Sequence, residues 1–474
     1  MIEIMENRKK LERIVEAGAC VGCGLCSFLS KDRLPMALTE SGLYQPDLAD
    51  LKTAEESEIK EVLNVCPFSG EGANEDSIGF RLFGDLQHDT RLGYYREIYQ
   101  ASVTDDSMRL QASSGGIITW VLKSLLKSGK ADYVVHVKNA ARETGKLFYY
   151  GISRTTEEIV GGGKSKYYPI ELSEVLREVE SLPGRGVFVG LPCFIKGARR
   201  LCELRPEFAK KFPYFIGLVC GHLKSTGFAE SLAQQMGLNP SELVDVDFRV
   251  KLMDRPADRY GFSASTPMRS NARPMSELVG GNWGLNLFRN PTCDLCDDVF
   301  AECADLVVGD AWLPGAVKDP RGTSVVVSRR KDLSEILGKG LEDGQLSLEE
   351  LSLEMAANSQ QGGLRDRREG LRYRLYLRRK NGEWSPEKRV EPSKNHISSS
   401  RRKLYRHRIR MMKDSLRFWA LAKRTNNFEP FWERIQRLQI INSCLYRKIP
   451  LRWLAWIKYT LAARASKKDA QTKK

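Results

Sequence analysis

The sequence predicts an α/β (α+β) body flanked by a small cysteine-rich N-terminal module and a basic helical C-terminal extension, and three observations lead there. Short β-rich apolar runs, "GVFVGLPC" at 186–193 and "YFIGLVCGH" at 214–222, each meet a Gly or Pro, as a buried parallel strand does where it ends at a loop. Ten of the eleven cysteines precede residue 371, most of them in two sets, with Cys444 alone outside the body. The net charge of +15 is unevenly spread: residues 371–474 hold 29 Lys and Arg against 7 Asp and Glu, a local +22 that leaves −7 for the first 370 residues. The basicity therefore belongs to the extension and says nothing about the body. A chain of 474 residues suits two or three domains and buries a sizeable core without disulfides. The opening "MIEIMENRKKLER" lacks the apolar stretch of a secretory leader, and no eighteen uncharged apolar residues run consecutively. The expected location is the cytoplasm, where grouped cysteines bind metal or do redox work.

The first set opens the N-terminal module. In "EAGACVGCGLCSFLS", Cys20, Cys23 and Cys26 follow a C-x2-C-x2-C spacing, and "NVCPFSG" adds Cys66 before Pro67 forty residues on. That is a ferredoxin ligand set: three thiolates at this spacing plus a remote Cys-Pro hold a 4Fe–4S cluster. Gly22 and Gly24 between the thiols let backbone N–H groups approach the sulfides. In two-cluster ferredoxins the Cys-Pro follows after three residues, whereas residue 30 here is Ser, so Cys66 reads as closing the same cluster. Tetrahedral zinc is the alternative, but zinc ribbons and fingers use pairs rather than a triplet.

The second set is "NPTCDLCDDVFAECADLVVGDAW", with Cys293, Cys296 and Cys303 in C-x2-C-x6-C. Three thiolates leave one ligand missing, and Cys193 and Cys220 both stand at ends of strand-like segments, where α/β proteins put their chemistry. Cys193 is preferred because a preceding proline resembles the rigid ligand turns of cluster proteins. Cys202, within the helical "FIKGARRLCELRPEF", reads as a buried thiol of the core.

Between the two sets, "QASSGGIITWVLKSLLKSGKADYVVHVK" gives a Ser-Ser-Gly-Gly turn, an amphipathic helix to about Lys127, a stop at Gly129 and a buried strand to Val137. A glycine-rich turn opening a helix offers free N–H groups and the positive dipole end to a phosphate, although a helix capped by Ser114 explains it equally. The loop "VGGGKSKYYPI" at 160–170 can wrap a phosphate and flank an aromatic ring system, or form an exposed hairpin.

"SSGG" at 113–116, "KSKYY" at 164–168, "GLPC" at 190–193, "LVCGH" at 218–222, and "CDLC" followed by "ADLVVGD" together resemble the coenzyme F-420 hydrogenase/dehydrogenase beta-subunit family over roughly residues 15–330. That family includes iron–sulfur flavoproteins such as the plant hydroxymethyl-chlorophyll reductase and bacterial members encoded near polysaccharide genes. The resemblance implies FAD, one or two 4Fe–4S clusters, and a ferredoxin-like module set against an α/β flavin-binding body. Carried over to this chain, Ser114, Gly115 and Gly116 match the glycine turn near FAD, and Ser165, Lys166 and Tyr167 match the flavin loop. Cys193 matches the cysteine of the Gly-Thr-Pro-Cys turn, where Leu191 replaces Thr and removes a hydroxyl. Lys164 stands where Gly is common. Gly190, Pro192, Gly309 and Asp310 complete the cofactor-binding candidates, and the metal candidates are Cys20, Cys23, Cys26, Cys66, Cys193, Cys293, Cys296 and Cys303. The implied division is a ferredoxin-like module at 1–85, a flavin-binding region at 86–170, a catalytic region with the second cysteine set at 171–345, a linker at 346–400 and a basic helical tail at 401–474.

Flavin exchanges electrons in pairs and a 4Fe–4S cluster one at a time, so their pairing couples a ferredoxin or other one-electron carrier to a small organic substrate. Coenzyme F-420, a polysaccharide precursor and a tetrapyrrole all fit. His222 and Tyr167 are candidate proton donors. The competing reading is an electron-transfer subunit that serves a partner enzyme and has no substrate site. In the tail, Arg and Lys interleave with apolar residues, and five of eight tryptophans (Trp384, Trp419, Trp432, Trp453, Trp456) fall after residue 371. Such helices suit an anionic membrane surface, here the inner face, or packing on the body or a partner subunit. No recognition module accompanies the charge, so nucleic acid is not expected.

Overall fold

The computed structural model describes residues 2–141 and 144–447. The N-terminal segment is mostly helical, with helices Ile2–Glu16, Leu25–Leu29, Glu56–Val65 and Glu75–Phe83 and two short hairpins, β1 (Met36–Leu38) with β2 (Tyr44–Pro46) and β3 (Gln87–Asp89) with β4 (Gly93–Tyr95). The body then supplies β5 (Glu97–Val103), β6 (Tyr133–Asn139), β7 (Phe148–Ser153), β8 (Gly186–Gly190) and β9 (Tyr214–Leu218). A separate antiparallel meander follows, β10 (Asp245–Val250), β11 (Gly261–Ser265) and β12 (Ser270–Pro274), and then β13 (Leu306–Asp310), β14 (Ser324–Ser328) and β15 (Leu346–Glu350).

Eight of these strands form one mixed sheet in the order β15-β5-β14-β13-β9-β8-β6-β7. Its centre, β13, β9, β8 and β6, is parallel, and its flanks are antiparallel. The central strands are apolar on both faces because both are covered: Val187 and Val189 face one core and Phe188 the other, as Tyr214 and Ile216 do against Phe215. Helices Ile117–Lys127 and Lys331–Glu342 cover the first face. The opposite core is larger and runs without a break from Leu11 to Leu438, so it takes in the cysteine module and the C-terminal helices. The parallel centre matters for chemistry, since it brings the loops after β8, β9 and β13 to one edge.

Two segments are more ordered than their composition suggests. Residues 346–400, expected as a linker, contribute β15, helix Leu353–Ser359, a π-helical turn at Asp366–Gly370 and helix Leu371–Lys380, held by buried Leu346, Ala356, Leu364 and Leu371. In the tail, helix Ser399–Thr425 buries Leu404, Met411, Met412, Leu416 and Trp419 and exposes Lys403, Arg406, Arg410, Lys413 and Arg417. Each large apolar side chain so withdrawn contributes about 2 kcal/mol, enough to hold the helix on the body. Trp419 Nε1 donates to Glu230 at 2.7 Å and Trp432 Nε1 to Gln234 at 2.8 Å, so both tryptophans are fixed to the body. Trp453 and Trp456 lie outside the described residues. No described helix is long and apolar enough to cross a membrane.

Candidate functional site

The first cysteine set comes together as its spacing demands. Burial and then the Cys66 thiol push Cys20 up to about 12, and burial, Cys20, Cys23 and Cys66 together raise Cys26. Backbone N–H groups of Gly22, Leu25, Ser27 and Phe68 oppose the rise by donating to Cys20, Cys23, Cys26 and Cys66. The loop adopts this shape through glycine: Gly24 has φ +81°, and a Cβ there would fall 2.2 Å from Glu171 Oε2. The Cys23 carbonyl accepts from Leu172 N at 2.9 Å, which docks the module on the body.

The second set is assembled differently from its sequence pattern. Burial, then Cys296, Cys220, Cys293 and Cys23, raise Cys193 well above its ordinary value. Cys193 and Cys220 therefore both lie within electrostatic reach of the Cys293-x2-Cys296 pair, and neither is singled out as its partner. Cys303 has other neighbours. After burial, the charges acting on it are Glu75, Asp298, Lys196 and Glu302, and its carbonyl accepts from Arg199 Nε at 3.0 Å. Six residues after Cys296, the chain has already turned toward β13, and Cys303 leaves with it. Donors again point at sulfur: Leu223 N lies 3.2 Å from Cys293 Sγ, and Arg367 Nη2 lies 4.0 Å from Cys220 Sγ. Cys202 is a half-buried helix residue apart from both sets.

The two sets are neighbours. Thr292 Oγ1 donates to the carbonyls of Cys20 at 2.7 Å and Gly18 at 3.1 Å, and Asn290 Nδ2 to that of Val21 at 3.3 Å. Cys23 acts on Cys193, and both act on Tyr150. Backbone donors surrounding four buried thiols fit a cluster, whose thiolates need such donors to remain anionic away from water.

Cys220 also lines a cavity of about 1470 Å³ at the carboxyl edge of the parallel strands. The same wall carries Ser114, Gly116, Ser165, Lys166, Tyr167 and His222, with Gly309 and Asp310 at the end of β13. Gly116 caps helix Ile117–Lys127 with φ +84° and no side-chain cap, and Ile118 and Thr119 of its first turn also face the cavity, so free N–H groups and the dipole's positive end point inward. The glycine turn and the 160–170 loop are joined where Ser165 N donates to Ser113 Oγ at 2.7 Å. Gly115 is absent from the wall: its N–H donates to Ser324 Oγ at 3.0 Å, and a Cβ there would meet the Ala101 carbonyl at 2.5 Å. Gly190 and Pro192 stay behind the wall, and Leu191 lines it. Lys164 takes φ +73°, a glycine-like conformation, and is tied to Asp247 Oδ2 at 3.1 Å.

Residues the sequence did not single out complete the site. Arg249 forms a two-pronged pair with Asp310 at 2.7 and 2.8 Å, donates to the Ser113 carbonyl at 3.1 Å, and reaches Tyr167 Oη at 3.4 Å. Trp283 packs on His222 at 4.4 Å and on Tyr167 at 4.7 Å. Lys224 is fully buried with its ammonium over the Phe228 and Trp283 rings. Burial, then Lys224, Arg289 and Arg367, hold His222 well below its ordinary value, so it is a neutral imidazole at pH 7. An Arg inside the strand-like "DVDFRV" was the available signal for Arg249. Nothing local marks Arg367.

Two family descriptions match the chain, both of the coenzyme F420 hydrogenase/dehydrogenase beta subunit: its N-terminal part over residues 98–177 and its C-terminal part over residues 184–354. A curated relative, the coenzyme F420-dependent sulfite reductase of Methanocaldococcus jannaschii, is 23% identical over 341 residues, covering 69% of this chain and 47% of the relative. The chain thus spans about half the length of that relative. Among solved structures, a chain of the F420-reducing [NiFe] hydrogenase complex from Methanosarcina barkeri is similar with TM-score 0.48 and 18% identity, over 66% of this chain and all of the other. The matched regions contain both flavin-loop candidates, the "GLPC" turn and the whole second cysteine set, and this protein belongs to the coenzyme F420 hydrogenase/dehydrogenase beta-subunit family.

Proposed function

We propose that this protein is an iron–sulfur flavoprotein oxidoreductase that couples a one-electron carrier of ferredoxin type to two-electron chemistry on a small organic substrate. The carrying observation is an adjacency: the segment that opens the second cysteine pair is hydrogen-bonded to the first set through Thr292 and Asn290, and Cys220 lines the cavity. Cys20, Cys23, Cys26 and Cys66 hold one 4Fe–4S cluster in this reading, and Cys193, Cys220, Cys293 and Cys296 hold the other. Backbone N–H groups donate to sulfur in both sets, an arrangement that suits a sulfide-bridged cluster. The Gly116 helix terminus would hold the phosphates of FAD and Tyr167 would flank its ring, and the flavin would supply the change between one- and two-electron transfer.

The protein's own groups do the rest. Arg249, locked by Asp310, fixes Ser113 and Tyr167 relative to each other, so the turn and the loop keep one geometry. Trp283 shields His222 and Tyr167 on one side. His222, neutral and lining the cavity, can hold or pass a proton at Nε2, which has no hydrogen-bond partner.

Anaerobic purification with iron, acid-labile sulfide, zinc and flavin measured on one sample tests this. About eight iron and one FAD per chain are expected from two 4Fe–4S clusters. Zinc without flavin overturns the reading. Turnover of a small molecule by the isolated chain separates an enzyme from a relay subunit, which would exchange electrons only with dyes or proteins.

A further inference from the structure

Part of the cavity wall is built by residues after 354, beyond the matched family regions: Arg365 at the end of helix Gln361–Arg365, Arg408 in helix Ser399–Thr425 and Asn442 in helix Glu429–Tyr446. They stand close to the reactive loops. Arg408 Nη2 lies 3.3 Å from where a Gly284 Cβ would be, and the adjacent Trp283 packs on both His222 and Tyr167.

Three buried polar atoms on this wall have no partner: Asn442 Oδ1, His222 Nε2 and Arg408 Nε. Asn442 is 6% exposed and His222 8%. Orphaned groups at such depth cost stability, and in a cavity they mark contacts a ligand makes. The charges are also unbalanced. Arg289 is charge-paired with Asp294 and Asp366 at 3.4 and 2.9 Å, although its Nε makes no hydrogen bond, and Asp366 also pairs with Arg374 at 2.9 Å. Burial lowers the Arg408 pKa, and Asp366, the carboxylate acting on it, is already committed, while Arg401 and Arg365 add like charge. Arg401 has its own partner in Glu369. Three guanidinium groups after residue 354, Arg365, Arg408 and Arg447, line the cavity without a matching carboxylate among the described residues.

We propose that this wall binds the phosphate dianion of a phosphorylated organic substrate, with Arg408 and Arg365 donating to its oxygens and Asn442 Oδ1 accepting from a hydroxyl of the carbon skeleton. Two guanidinium groups donating to one group fit a dianion, and a wall of clustered unmatched cations favours it over a singly charged carboxylate. This assignment rests on the flavin reading for which end of the cavity is reactive.

The test is calorimetric titration of inorganic phosphate into the FAD-loaded protein at constant ionic strength, with acetate in parallel. Phosphate is expected to bind more tightly than acetate, and Arg408→Gln to weaken it about tenfold or more with FAD content and flavin spectrum unchanged. Arg408→Lys should recover part of the loss. Arg365→Gln, at an exposed position, should give the same direction without disturbing packing. Equal binding by wild type and both Gln variants, tighter binding of acetate, or no phosphate binding by the wild type overturns the proposal. A wild type that carries no FAD overturns the flavin reading instead, and the Arg408→Gln comparison then still decides the phosphate site.

Discussion

The two cysteine sets solve one problem in opposite ways. The first takes three thiols from seven consecutive residues and adds Cys66, with its shape fixed by the chain's own glycines. The second takes single thiols from the ends of β8 and β9, a pair from the 291–296 loop, and its nearest cation, Arg367, from a π-helical turn outside the matched family regions. π-Helical turns often mark functional positions, and this one turns Arg367 inward onto three thiols. A local motif survives almost any surrounding fold. An assembled one exists only when the parallel sheet has brought its loops to one edge.

The largest expected effect breaks this comparison at the thiols. Cys193→Ser or Cys220→Ser should each lower iron from about eight to about four per chain, as Cys66→Ser should from the other side, while Cys303→Ser leaves iron unchanged. Iron retained in Cys220→Ser but lost in Cys303→Ser would restore the contiguous Cys293, Cys296, Cys303 set.

Next is the scaffold of the assembled region. Asp310→Ala leaves the Arg249 guanidinium, 3% exposed, without its carboxylate, and breaking such a buried pair costs about 3–5 kcal/mol. Chemical denaturation should register that loss together with loss of FAD, whereas the first cluster's iron stays.

A smaller effect compares the cations beside each set. Arg367 acts on Cys296, Cys220 and Cys293, while Arg200, which donates to the carbonyls of Ala73 and Gly72, acts on Cys66 and Cys303. Removing positive charge beside a cluster lowers its potential, so Arg367→Met should shift the second cluster negative by tens of millivolts and leave the first nearly unchanged. Redox titration followed by electron paramagnetic resonance reads both. Equal shifts in the two clusters would deny Arg367 a local role.

The smallest effect lies outside both sets. His136, hydrogen-bonded to Ser153 Oγ at 2.8 Å, is lowered by burial to about 4. The unfolded chain takes up this proton near pH 6.5 and the folded chain only near 4, so stability falls as pH drops through that window, by at most about 3 kcal/mol. His136→Gln should flatten the pH dependence of melting between 6.5 and 4 without changing iron content.

Legibility followed locality. The parallel strands, the glycine turn and Cys20, Cys23, Cys26 and Cys66 could be read because each is specified within a few residues by periodicity, positive-φ glycine or ligand spacing. Cys303 shares a segment with Cys293 and Cys296 and is buried with them, and only the tertiary structure shows which charges surround it. Cys193 and Cys220 looked like alternatives because each is a single thiol at a strand end, and strand order then shows that those strands, β8 and β9, are parallel neighbours.

The sequence by itself determined the family and the α/β architecture, both of which depend on short-range pattern. Tertiary structure alone decided that the segments carrying the two sets are hydrogen-bonded to each other, that Gly115 packs against strands while Gly116 faces the cavity, and that Arg367, Arg408 and Asn442 reach the site from the C-terminal extension. The physical reason is that burial and electrostatics act between residues near in space. Eight strands and one continuous core bring residues more than two hundred positions apart into contact.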